Sequence, residues 1–147
     1  MNNSCINKSF LVVGRVLLGL IFITSGYGKL MDFSGTAAHM ESVGMPLVPL
    51  MLVGAIAVEL GAGLSVFLGI KARWGALALF LFLIPTTLIF HKFWGLDNPD
   101  MAMMQHINFM KNIAIMGGML VVAAAGPDQP GIGGLCPCCC SGDKCDS

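Results

Sequence analysis

Residues 74–90 read WGALALFLFLIPTTLIF, an unbroken apolar run without a charged side chain. Such a stretch approaches the ~20 residues with which a helix crosses a ~30 Å hydrocarbon layer. Working outward, three further stretches follow the same pattern, at about 10–30, 47–70 and 104–125, and each holds one or two ionisable residues. Apolar residues fill 56% of the 147 positions and charged residues only 11%, with a mean hydropathy of +0.81. A soluble core of this size has too little interior to hide that much apolar surface. The chain therefore reads as an all-α membrane protein, a four-transmembrane-helix bundle over 10–125, with a short segment 1–9 before it and a polar tail 126–147 after it.

The first stretch is also open to reading as a cleaved signal peptide, since Lys8 precedes an apolar run that ends in Ser25-Gly26. Arg15 interrupts that run and no clear A-x-A site follows, so four spans is the reading taken. An even number of spans puts both termini on one side. Lys8, Lys71, Arg73 and Lys144 fall on the terminal side against Lys29 and Lys92 on the other, which predicts cytoplasmic termini by the distribution of basic residues. The loops at about 32–46 and 92–103, with Asp32, Glu41, Asp97 and Asp100, then face outward. Trp74 and Trp94 suit opposite membrane interfaces.

A charge at bilayer depth is costly, so the ionisable residues inside the spans are candidates for function or for specific packing. At 100° per residue Arg15, Gly19, Phe22, Gly26 and Lys29 share one side of the first helix, a basic stripe spaced by glycines. Ala55, Glu59, Ala62 and Gly63 share a face of the second, where small residues let a neighbouring backbone come close. With the outer ends of these helices set level, Arg15 lies ~22 Å and Glu59 ~18 Å below them, so an Arg15–Glu59 ion pair is expected. The last helix adds Asn108, Lys111 and Asn112 at i, i+3 and i+4, and the third ends in Phe90-His91-Lys92-Phe93-Trp94. Lys111, about 10 Å in from the outer side, then has Glu59 or His91 within reach, which predicts a polar centre open to that side. Arg15, Lys29, Glu59, His91, Asn108, Lys111 and Asn112 are accordingly the candidate ligand-binding residues. The bland reading, a buried pair that only fixes helix packing, stands beside it.

These residues resemble the DoxX family of small four-helix bacterial membrane proteins. The resemblance rests on Gly14-Arg15 and Gly26-Tyr27-Gly28-Lys29-Leu30, Val58-Glu59-Leu60-Gly61, the His91 segment just quoted, and Asn108-Phe109-Met110-Lys111-Asn112 with Gly117-Gly118. It implies an inner-membrane protein. Its relatives include the small quinone-linked subunit of thiosulfate oxidation and members associated with thiol and oxidative stress.

Beyond Ala125 the composition turns to Pro, Gly and polar residues, and Cys136, Cys138, Cys139, Cys140 and Cys145 crowd into the tail. In a reducing cytoplasm these stay thiols, and soft thiolates suit Zn or Cu(I). Redox sensing, or no fixed role, are the other readings, because C-x-C-C-C-x4-C is not a standard two-pair zinc spacing.

No motif for nucleotide, flavin, haem or phosphate binding occurs, nor a nucleophile elbow. A non-catalytic membrane subunit is therefore expected more than an enzyme acting alone. The leading expectation is a subunit or anchor of a redox complex, quinone- or thiol-linked, with quinone as the cofactor and a soluble oxidoreductase as partner. The alternatives are a small transporter or channel for a proton or small anion, drawn by the field of Arg15, Lys29 and Lys111, and a metal-handling protein working through its tail. Membrane lipid and a homo-oligomer are further expected partners, and nucleic acid is not.

Overall fold

The computed structural model describes residues 3–125, with side chains from Lys8 onward. Five helices follow in order: α1 Asn3–Met31, α2 Phe33–Ser42, α3 Val48–Leu68, α4 Ala72–Phe90 and α5 Pro99–Ala124. Four are long and apolar enough to cross a membrane, over Lys8–Met31, Val48–Leu68, Ala72–Phe90 and Pro99–Ala124. The fold is all-helical with four candidate spans, as the apolar runs require. The Cys-rich tail lies outside the described residues.

Local chemistry sets the helix ends. Pro49 opens α3, where a missing N–H costs nothing, and Gly69 closes it at φ +83°. Lys71 also takes a left-handed conformation, so a three-residue turn reverses the chain into α4, fixed by a 2.6 Å bond from the Ser65 hydroxyl to the Ile70 carbonyl. Helix α4 runs through Pro85 without ending. Asn98 caps α5, its side chain accepting from the Asp100 and Met101 amides, and the helix starts five residues before the apolar run does.

The loop expected at 32–46 contains a helix instead. Asp32 caps α2 by accepting from the Gly35 amide at 3.1 Å, and a Cβ on residue 35 would collide with that carboxylate. Met40 turns inward from α2 onto Val48, Leu52 and Ile56 of α3, with Ala37, Met45, Leu60 and Phe90 around them. This small core covers the first turns of α3, which project past the end of α1.

Spatially α1 packs on α3, α3 on α4 and α4 on α5, while α5 closes back on α1 through a lesser contact. The main core holds Phe22, Val66, Ala76, Leu79, Leu83, Ile115 and Met119. In hydrocarbon the drive for such packing is close van der Waals fit, because lipid tails are as apolar as leucine. Glycine supplies the fit between α1 and α3. A Cβ on Gly19 would stand 2.8 Å from the Phe67 amide nitrogen and 2.9 Å from the Gly63 carbonyl oxygen, and one on Gly26 3.0 Å from the Leu60 side chain. Around this core Leu17, Ile21, Leu81, Leu88 and Val121 are exposed and form the surface that lipid covers.

The distribution of basic residues predicts cytoplasmic termini, which a fusion can test. A reporter active only in the cytoplasm is expected to work when fused after Cys145, and a periplasm-only reporter to be silent there. The reverse pattern would put the tail cysteines in an oxidising compartment.

Candidate functional site

Glu59 sits near the middle of α3 and is 4% exposed. Its partner is Lys29. The ammonium lies 2.9 Å from Oε1 and 2.8 Å from Oε2 of the carboxylate, and donates a third bond to the Ser25 hydroxyl at 2.8 Å. An ammonium has three donors, and here all three are used. The Lys29 side chain keeps 26% of its surface accessible, against 5% for Glu59, so the cation is the approachable member of the pair.

The expected Arg15–Glu59 pair is thus corrected. Gly26 faces Glu59 and Leu60, Gly19 faces Gly63 and Phe67, and the Arg15 guanidinium lies against Gly69, where a Cβ would come within 2.5 Å of it. Gly69 is ten residues along α3 from Glu59, about 15 Å of helical rise. The expectation erred by setting the outer ends of the two helices level, whereas α3 runs on past α1 under the cover of α2. Arg15 is 1% exposed and stands at the C-terminal end of α3, where the helix dipole favours a cation.

The remaining candidates separate into three places. Asn112, buried, donates from its amide to the buried Thr87 hydroxyl at 3.1 Å, tying α5 to α4. His91 Nδ1 and Gln105 Oε1 are 3.0 Å apart at the end of α4. Lys111 donates to Asn108 Oδ1 at 3.1 Å on an exposed face of α5. The single polar centre expected from His91, Asn108, Lys111 and Asn112 above Glu59 is not assembled in this geometry. Two of the seven candidates, Lys29 and Glu59, form a compact charged site together with Ser25, which was missed. Its position four residues before Lys29, one helical turn away, was the available signal. Thr87 was missed as well, hidden in an apolar run.

Aromatic rings gather where α4 gives way to α5. Phe93 stacks edge-on against Trp94, His106 and Phe109, at 5.2, 4.8 and 5.4 Å between centroids, and Trp94 packs on Phe109 at 6.1 Å. Among the described residues no group of three or more His, Cys, Asp or Glu is placed to hold a metal ion.

The family model described as DoxX matches residues 10–92, more than half the chain and all of α2, α3 and α4. The chain belongs to the DoxX family. It is 34% identical over 117 residues to the inner membrane protein YphA of Escherichia coli, covering 80% of this chain and 83% of the relative. It is 36% identical over 116 residues to the inner membrane protein YqjF of the same organism, covering 79% and 83%. No solved structure matches the chain. With these relatives and four apolar helices, this DoxX-family member is a multi-pass inner-membrane protein. The DoxX match contains Lys29 and Glu59 and stops before Asn108, Lys111 and Asn112.

Proposed function

We propose that this protein is the membrane subunit of a redox complex, holding a quinone head group at the Lys29–Glu59 pair while a soluble oxidoreductase partner handles the electrons. The observation that carries the reading is a charged Ser25–Lys29–Glu59 cluster that joins the last turns of α1 to the middle of α3, the ammonium using all three donors while left partly open. Intramembrane ionisable groups of this kind mark ligand and proton sites more often than they mark stability. A quinone presents carbonyl acceptors beside an apolar tail. The bond that its oxygen can replace is the one from Lys29 to the neutral Ser25, which leaves the ion pair intact. Glu59 then lies one ammonium away from the carbonyl that must gain a proton on reduction.

Two results support this reading together. A soluble oxidoreductase is expected to copurify with the tagged full chain in mild detergent, and quinone reduction by washed membranes should fall about tenfold with Lys29→Met, a loss of ~1.4 kcal/mol of binding. Proton or anion transport by the chain alone in liposomes, with no oxidoreductase retained, would replace the proposal with the transporter reading.

A further inference from the structure

Lys111 is exposed on α5 although it lies within a membrane span. Its depth can be read from the aromatic rings. Trp94 packs on Phe109, and tryptophan settles at the membrane interface, so the aromatic belt on this side runs level with Phe109. Lys111 is two residues further along α5, about 3 Å deeper, where a lysine stem easily returns its charge to the head-group region.

Its direction around α5 follows from Gly118. That glycine meets Leu18 of α1, whose Cδ1 would stand 3.1 Å from a Cβ built on it. Lys111 and Gly118 are seven residues apart and so within about 20° on the helix. Lys111 therefore stands two turns above the Leu18 contact, over the seam between α1 and α5, the most loosely joined of the bundle's neighbouring pairs.

The cation has donors to spare. Among the described residues Lys111 makes one bond, to Asn108 Oδ1, which leaves two ammonium hydrogens, and the Asn108 amide group adds donors next to it. Among the described residues no carboxylate is paired with Lys111: Glu59 is held by Lys29, Asp32 and Glu41 belong to the α2 region, Asp100 lies nine residues from Phe109 along α5, and Asp97 is exposed in the turn after Trp94. A second copy of the chain would offer no better match for the same reason. A lipid phosphate at the level of the belt does match, with its acyl chain lying along the seam.

We propose that Lys111 and Asn108 form a binding site for the phosphate of an anionic phospholipid, seated at the mouth of the α1–α5 seam. This site is separate from the Lys29–Glu59 pair and does not depend on the quinone reading. The test uses purified full chain in detergent, with retained lipid measured by native mass spectrometry after adding phosphatidylglycerol, phosphatidylcholine or oleate. The wild type is expected to retain phosphatidylglycerol in preference to the other two, and Lys111→Met to lower that retention about tenfold, as loss of a charge-assisted contact to phosphate should. Melting of the lipid-free variant should match the wild type, because Lys111 makes no buried contact. Equal retention by Lys111→Met and wild type, or no preference for phosphatidylglycerol over phosphatidylcholine, overturns the proposal. Preference for oleate would make the ligand a fatty carboxylate and overturn it too.

Discussion

Glu59→Leu is expected to destabilise the bundle by about 3 kcal/mol, because it takes both carboxylate bonds from the partly buried Lys29 ammonium. Lys29→Met should cost a similar amount, since Glu59 is the more deeply buried partner and would be left with no cation. The double variant should recover a large part of the loss, because leucine and methionine leave no charge to be desolvated. Unfolding followed in detergent for both single variants and the double variant gives the coupling directly. Simple additivity would mean that the two side chains do not share a bond. Arg15→Leu belongs outside this cycle: its guanidinium lies at Gly69, so its effect should add to that of Glu59→Leu without coupling.

The second large effect is expected at Gly19. A side chain there meets backbone on α3, the Phe67 amide and the Gly63 carbonyl, neither of which can rotate away. Gly19→Val should force α1 off α3 and cost about 3 kcal/mol, near the upper end for an overpacked site. Gly14, five residues earlier on the same helix, faces open space. Gly14→Ala should change stability by less than about 1 kcal/mol in either direction. Comparable losses at the two positions, measured by thermal melting in the same detergent, would show that α1 does not approach α3 as closely as described.

The four spans were legible because a run such as 74–90 admits no other solution: in lipid a segment must satisfy its own backbone, and a helix does so. Helix α2 was not legible. Half of its ten residues are polar, and only Met40 is buried, so no apolar stripe announces it. The same omission spoiled the ion pair. Period and composition place Arg15, Gly19, Gly26 and Lys29 on one side of α1, and the structure uses that side against α3, but how far one helix is displaced along another is set by what lies at their ends. With α2 unseen, the ends of α1 and α3 looked level, and Glu59 was matched to Arg15 when Lys29 stood within reach. Likewise i, i+3, i+4 spacing does put Asn108, Lys111 and Asn112 near one another on α5, yet Asn112 turns to Thr87 inside the bundle and Lys111 to the outside. Spacing ranks residues by face and leaves open which faces are covered.

The central claim, that the Lys29–Glu59 pair is a ligand site in addition to a packing device, is tested most directly by quinone binding to the double variant Lys29→Met with Glu59→Leu. That variant removes the polar site while avoiding a stranded charge, so it separates binding from folding. A short-chain quinone titrated into purified full chain should bind the wild type and bind the folded double variant at least about tenfold more weakly, ~1.4 kcal/mol. Equal binding by the two proteins would contradict the account and leave the pair with a structural role only.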